Sequence, residues 1–478
     1  MAKKTTPKLD QPRNVTIVQN SIENFFMTDY YDYAKYTIAD RALPSIVDGL
    51  KPGARKIMHA AFATLKSGKK EKFINLVGNT LSLSNYSHGD SSLLSTMMTL
   101  SASYNDNLAP LQIVGSGGDL RSPEAAAPRY LAIKLSKWAK LYQKDIHILE
   151  HSYEGDKKLE PLWYLPLIPT VLAARTTGMA TGYKYDSQVS YNPANIVEQC
   201  ISVLKTGNLS GKLRPHIEEW TGKYTQIDDR IWAEGLYRIE KDYIVVNEFA
   251  PNQTSESFES NIKKLLEDGK ILKWENRKTE EKPIEYVIWV NSATLAKQVA
   301  NGSFKKTYLL GEFLKRPTYT LLDENSKIAI FRKPEEIISY FIDFRLGLYD
   351  KLKSVTIEDL EKRIAEANVI RKFIDLYLSD KIKIDKTVTS ADLQKQLDSH
   401  QLPHWVADTR LSKLTKEEYD TLTDKIVKLE QELETIRTTA TKDLYLRELE
   451  QLHVEMKAAF PLQDFEIREV TEIPVKKK

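Results

Sequence analysis

Ala125-Ala126-Ala127-Pro128-Arg129-Tyr130, followed by Leu131, Ile133, Lys134, Leu135 and Lys137, is the stretch from which the chain is best read. Three small residues and a proline make a tight segment, and it delivers an arginine and a tyrosine side by side ahead of a short apolar run. A free phenol ionises only near pH ~10, so a tyrosine nucleophile needs help. An adjacent guanidinium supplies it, favouring the phenolate and stabilising negative charge on a phosphoryl group under attack. The pair therefore suits phosphoryl transfer to tyrosine through a covalent intermediate. Taken alone, an Arg-Tyr pair is in most proteins an ordinary packed surface pair, so the surroundings decide.

Those surroundings are basic. Over 478 residues, 69 Lys and Arg against 66 Asp and Glu leave a net charge of only +3, too little to argue for a nucleic-acid partner from the total. Residues 1–150 carry 19 basic and 13 acidic side chains, a net of +6, which leaves −3 for the remainder. Within this basic third, Thr28 to Ala39 reads as a helix, followed by Pro44 and the turn Asp48-Gly49-Leu50-Lys51-Pro52. A second helix is expected from Ala54 to Leu65. A third is expected from Ser91 to Tyr104, with Leu93, Leu94, Met97, Met98 and Leu100 on its apolar face. Helix, turn and helix in a basic domain suggest a helix-turn-helix or winged-helix DNA binder, a pattern shared with many all-α domains.

The composition, 41% hydrophobic and 28% charged, fits a globular chain of two to four domains and excludes global disorder. Cys200 is the one cysteine, so no internal disulfide can form, and no Cys/His spacing suits zinc. The basic start has no apolar signal core, and no later window approaches the ~18 apolar residues of a membrane span. These features lead us to expect a cytoplasmic chain with no membrane partner. Further along, β-branched runs such as Tyr243 to Val246 and Tyr286 to Val290 suggest an α+β domain, and Thr176 to Gly182 reads as a turn or bulged strand.

From Pro334 the period becomes helical. Pro334 with Glu335 and Glu336 makes a good helix start, and Ile337, Phe341, Phe344, Leu348, Leu352, Val355, Leu360, Ile364, Ala367, Phe373 and Tyr377 continue one stripe. Unbroken, it is a helix of about 44 residues and roughly 66 Å. A capping box at Thr415 and Glu418 opens a second long helix with the seam Leu422, Ile426, Leu429, Leu433, Ile436 and Ala440. Two such helices returning on each other around Asp385 to Leu414 form a coiled-coil arm, with Trp405 exposed at a tip suited to docking a second copy.

Five segments now stand in order: Arg41-Ala42-Leu43-Pro44, Asp48-Gly49-Leu50-Lys51-Pro52, Arg55-Lys56, Ser87-His88-Gly89-Asp90-Ser91 and Ala125 to Tyr130. This succession resembles the breakage-reunion subunit of type IIA DNA topoisomerases, the family of topoisomerase IV and the gyrase A protein. The stretch Tyr164-Leu165-Pro166-Leu167-Ile168-Pro169-Thr170 and the chain length look most like the medium subunit of the topoisomerase of large tailed bacteriophages. The resemblance implies a mostly α, α+β chain: an N-terminal arm (1–25), a winged-helix catalytic domain (26–150), a tower domain (151–333), the coiled-coil arm (334–384 and 415–460), an exit-gate tip (385–414) and a C-terminal tail (461–478). The chain stops soon after the arm, so no wrapping pinwheel and no gyrase-type supercoiling are expected.

By the same resemblance, Tyr130 is the nucleophile that leaves a 5′-phosphotyrosyl end and Arg129 stabilises the scissile phosphate. Arg41 reaches the active site, and His88 hydrogen-bonds the reacting region. Lys51, Arg55 and Lys56 bind the DNA backbone with Ser91 nearby, and Met179 is the wedge inserted between base pairs. Several positions depart from the family pattern: Ala54 and Tyr86 stand where histidine is common, Met179 replaces isoleucine, and Ser116-Gly117-Gly118-Asp119-Leu120 replaces the usual loop. Ser91 matches the drug-contacting serine of bacterial relatives, but Ser95 stands where an acid is usual, so reduced quinolone sensitivity is expected. No acidic run suited to two-metal chemistry and no Gly-rich ATP loop is visible. The resemblance therefore places Mg²⁺ and ATP on a separate ATPase/TOPRIM subunit, without which this chain is inactive. The expected partners are that subunit, double-stranded DNA and a second copy of the chain. A cleavage-only transesterase and a non-catalytic DNA scaffold remain as alternatives.

Overall fold

The computed structural model describes residues 21–384, 388–409, 414–463 and 465–468. A helical stretch that alternates α and π turns runs from Ile22 to Ala42, longer than the Thr28 to Ala39 expected. It leads into three helices. The first, α1 (Pro52–Thr64), starts with proline at its first position, where no amide is lost. It buries Ala54, Ile57, Met58, Ala60 and Ala61. The second, α2 (Phe73–Leu83), buries Phe73, Leu76, Val77 and Thr80. The third, α3 (Asp90–Leu100), stops four residues before the expected Tyr104 and buries Leu93, Met97 and Leu100. A three-stranded antiparallel sheet completes this region: β1 (Glu71–Lys72), β2 (Leu111–Val114) and β3 (Ala132–Leu135), in the order β1-β3-β2.

The Asp48-Gly49 turn is the keystone of this region. Asp48 is fully buried; its carboxylate accepts from the amides of Leu50 (2.9 Å) and Tyr164 (3.0 Å) and from Arg55, and its carbonyl accepts from the Thr170 hydroxyl (2.8 Å). Gly49 has φ +69°, and a Cβ there would meet the Val171 amide nitrogen at 2.8 Å. Only glycine tolerates both the left-handed backbone and that approach. The turn thus locks α1 against the stretch from Tyr164 to Thr170. Residues 164–204 accordingly share one core with residues 43–149: Leu43, Ile57, Phe73, Ile133, Tyr164, Ile168, Ile196 and Leu204 belong to a single buried cluster.

The segment Thr176 to Gly182 is a regular hairpin rather than a bulged strand. Strands β4 (Thr177–Ala180) and β5 (Tyr183–Asp186) pair without a register shift, and Gly182 at φ +78° turns between them. Beyond the helix α4 (Pro193–Thr206) lies a second core. Strands Tyr237–Ile239, Tyr243–Val246, Tyr286–Trp289 and Lys273–Asn276 form an antiparallel sheet covered by the helix Ser255–Glu267, through Phe258, Ile262 and Leu265. A neighbouring sheet joins Gly311–Phe313, Arg230–Glu234 and Lys223–Ile227 with Phe465–Arg468, which pairs in parallel. Part of the expected C-terminal tail is therefore a strand.

The long helix is found as expected: α5 spans Pro334–Leu378, 45 residues. Its first third packs into the main core through Ile337, Ile338, Ile342, Tyr349 and Leu352. Leu360 then meets Leu429 and Leu433 of α6 (Lys416–Thr438), and nearer the tip Phe373 and Ile374 cluster with Leu397, Val406, Tyr419 and Leu422. Contacts that advance along one helix recede along the other, so the pair is antiparallel. Trp405 at the tip is exposed, as expected. The tip residues 385–387 and 410–413, and residues 1–20 of the N-terminal arm, lie outside the described residues.

The expectation that the second long helix carries its seam through Ala440 is corrected. α6 ends at Thr438, Thr439 and Ala440 are extended, and α7 (Thr441–Ala459) restarts. Ala440 therefore lies outside the seam. The cause is local: the hydroxyls of Thr435, Thr438 and Thr439 bond carbonyls four residues back, and β-branched residues cluster there. Lys353 then donates to the freed carbonyls of Arg437 (2.9 Å) and Thr439 (2.8 Å). α7 packs against α4 and α5 at the base of the arm, burying Tyr445, Leu449, Leu452 and Met456.

Candidate active site around Tyr130

Pro128–Tyr130 form one 3₁₀ turn between the loop from Gly115 and strand β3. The turn is fixed from several sides. The Tyr130 amide donates to Ala127 O at 2.9 Å, the Ala126 amide to Ser116 O at 2.8 Å, and the Phe73 amide, at the start of α2, to Leu131 O at 3.1 Å. Leu131 and Ile133 anchor the following strand in the core. Tyr130 itself is 70% exposed, and its hydroxyl bonds none of the other described residues. The Arg129 guanidinium sits 4.7 Å from the centre of the Tyr130 ring. This stacking keeps a positive charge beside the phenol while both groups face solvent.

The other expected site residues divide into three groups. His88 lies half-buried just before α3; its Nε2 is 3.5 Å from the Tyr36 hydroxyl and its ring meets Tyr86 edge-on at 5.5 Å. Ser91 is exposed in the first turn of α3. Among the described residues, neither His88 nor Arg41 hydrogen-bonds Tyr130 within one protomer. Arg41 and Met179 are brought near each other instead, because the β4–β5 hairpin packs on the Arg41-Ala42 turn: a Cβ on Gly178 would lie 2.1 Å from Ala42 O. Met179 is 76% exposed.

Arg55 is a correction. It is buried and forked onto Asp48, Nε to Oδ2 at 2.8 Å and Nη2 to Oδ1 at 3.2 Å, so its fork is engaged in holding the turn. Lys56 is also occupied, paired with Glu160 at 2.6 Å and donating to Ser84 O at 2.7 Å. Lys51 donates to Thr177 O at 2.7 Å, and burial pulls its pKa down. A basic motif in sequence has thus become largely internal ion pairing in the fold.

Two residues escaped the sequence reading. Tyr36 meets His88 across 52 positions, which no local pattern reveals. Arg175 lines, with Lys51, Ser95, Thr99 and Asp106, a cavity of about 310 Å³ between α3 and the strand entering the hairpin. Its position four residues before Met179 was the available signal. Among the described residues no group of three or more His, Cys, Asp or Glu side chains is gathered to hold a metal ion, and no helix is long and apolar enough to cross a membrane.

An exposed tyrosine with a stacked arginine on a sheet-braced turn, in a chain with an antiparallel helical arm, is the arrangement expected of a type IIA topoisomerase breakage-reunion core. The profile of the DNA gyrase/topoisomerase IV A-subunit family matches residues 41–452, and the chain belongs to that family. Similar proteins include "DNA topoisomerase 2, mitochondrial" of Dictyostelium discoideum, 25% identical over 433 residues, covering 86% of this chain and 33% of the relative. "DNA topoisomerase 2" of Arabidopsis thaliana is 28% identical over 378 residues, 76% of this chain and 25% of the relative. The chain thus spans a quarter to a third of the length of these relatives. The fold is like that of the crystal structure of the Plasmodium falciparum topoisomerase II DNA-binding, cleavage and re-ligation domain, with TM-score 0.77, 23% identity, and coverage of 91% of this chain and 65% of that one.

Proposed function

We propose that this chain is the DNA-cleaving and religating subunit of an ATP-dependent type IIA topoisomerase, nearest in kind to the bacteriophage medium subunit. It acts in the cytoplasm, that of the host if phage-encoded. The observation that carries the reading is the exposed Arg129-Tyr130 pair within a chain that belongs to the gyrase/topoisomerase IV A-subunit family. The Tyr130 phenolate oxygen attacks phosphorus, the bond to the 3′ oxygen breaks, and the departing oxygen takes up a proton. Arg129 stabilises the charge gathering on the phosphoryl oxygens. The 5′-phosphotyrosyl bond conserves the phosphodiester energy, so the 3′ hydroxyl reverses the step after a second duplex has passed.

One protomer has one such tyrosine, so a staggered double-strand break takes two copies. Arg41 and His88 then serve the reacting phosphate once DNA and the second copy are in place. The helices α1–α3 with their sheet act as a winged helix, and the α5–α6 pair as a coiled-coil arm whose tip closes an exit gate. We assign Mg²⁺ and ATP to a separate ATPase/TOPRIM subunit, without which the chain does not cleave.

The test is Tyr130→Phe in the complex reconstituted with that subunit. The phenol is exposed and unbonded, so the fold and DNA affinity stay at wild type while the denaturant-stable protein–DNA link and DNA relaxation disappear. Relaxation that survives the substitution refutes the assignment.

A further inference from the structure

We propose that Lys51 is a positioning residue for the Met179 hairpin rather than a ligand of the DNA backbone, and that the Arg41-Ala42 turn, Lys51 and the hairpin form one braced unit. The inference rests on the reading of Met179 as the side chain that enters the base stack.

A two-stranded hairpin with four residues a side is marginal alone. One that must push a side chain between stacked bases needs support close to that side chain. The far end of this hairpin is supported: Asp186 and Thr318 exchange backbone hydrogen bonds at 3.0 and 2.9 Å, and the Ser187 amide donates to Thr176 O at 3.0 Å. On strand β4 itself, the two residues that precede Met179 are held by Lys51 and Ala42. The Lys51 ammonium donates to Thr177 O at 2.7 Å, two residues before Met179. At Gly178 the backbone lies so close that an added Cβ would stand 2.1 Å from Ala42 O and 3.6 Å from Lys51 Cε.

The pleat makes this support directional. Gly178 pairs with buried Tyr185 on the face packed inward, whereas Met179 pairs with Lys184 on the face turned out. Pressing Gly178 against Ala42 therefore aims Met179 at solvent, where the duplex would lie. Lys51 is itself fixed, because it is the extended residue ahead of Pro52 at the start of α1. Its ammonium already donates to a carbonyl of the hairpin, and the partial burial that lowers its pKa disfavours the charged form a phosphate would call for.

The experiment uses the full chain with its TOPRIM-bearing partner and a duplex labelled at both ends, so that energy transfer reports bending and titration in salt reports phosphate contacts. Lys51→Met should bind with the wild-type salt dependence but lose bending to the level of Met179→Ala, and Lys51→Arg, which can still donate to Thr177 O, should keep it. Gly178→Ala attacks the same brace from the other side and should lose bending too, which keeps the test decisive if Lys51→Met folds poorly. A salt slope lowered by about 0.9, the loss of one phosphate contact, overturns the inference. So does wild-type bending in either brace variant where Met179→Ala has lost it. If Met179→Ala itself bends DNA normally, the wedge reading falls and this inference with it, while cleavage by Tyr130 stands or falls separately on the covalent link.

Discussion

A tyrosine proposed to attack phosphorus must be reachable, and Tyr130 is reachable because a proline-led turn lifts it off the start of the central strand β3 while Leu131 holds the next residue in the core. Charge at residue scale is less simple than a count of lysines and arginines. Arg129 faces solvent beside Tyr130, whereas Arg55, Lys56 and Lys51 are committed inside the protein. Asp106 shows the same pull of the interior on an acid: burial pushes its pKa up to about 6 from an ordinary 3.8, although the Leu108 amide partly offsets this by donating to Oδ1 at 2.9 Å. The folded state therefore binds a proton that the unfolded state has released, and the carboxylate costs stability progressively as pH rises from 3.8 to about 6. Asp106→Asn keeps the acceptor without the charge. It should raise the melting temperature relative to wild type at pH 8 and lose that advantage at pH 4; a difference that is the same at both pH values contradicts the assignment.

At the scale of elements, one turn does most to arrange the site. Asp48 gathers Leu50, Tyr164 and Arg55 around one buried carboxylate, so α1 cannot shift without breaking several hydrogen bonds. Removing one partner of a buried pair leaves the other uncompensated, at a cost of about 3–5 kcal/mol. Arg55→Ala should therefore lower the denaturation midpoint sharply while leaving the salt slope of DNA binding unchanged, whereas a residue that touched a phosphate would lower that slope by about 0.9. The role of Arg55 was not legible because an Arg-Lys dipeptide after a turn reads the same whether it faces DNA or an internal carboxylate. The helix α5 was legible to within a residue, since a long apolar stripe with a proline start has few alternatives. The break at Thr439 was not, because the seam spacing runs on through Ala440 while the threonine hydroxyls that end the helix have no period.

At the scale of the whole molecule, the arm is a lever with three separate points of attachment. Its base lies in the main core, Leu360 with Leu429 and Leu433 ties the middle, and a third cluster from Phe373 to Leu414 closes the tip. Arg345 fixes the base: fully buried, it donates to Leu165 O (2.8 Å), Pro166 O (3.0 Å) and Asp145 Oδ2 (2.7 Å). Because the tip has its own core and Tyr130 depends on another, the two should separate experimentally. Deleting residues 385–414 and joining the helices with a short loop should leave Tyr130-dependent cleavage intact while strand passage or dimer stability is lost. Loss of cleavage in that variant would mean that the tip supports the site directly.

The sequence by itself determined the adjacent Arg129-Tyr130 pair, the basic first third, the existence and length of α5, and the family, because each depends on residues that are neighbours in the chain or recur at a fixed period. Only the tertiary structure decided which cations remain free, where the second long helix breaks, that Phe465–Arg468 joins a sheet begun at Lys223, and that Lys51 and Ala42 press on the Met179 hairpin. Those outcomes depend on which distant groups meet once the apolar faces are buried. A lysine that finds a carbonyl 126 positions away carries no trace of it in the residues beside it.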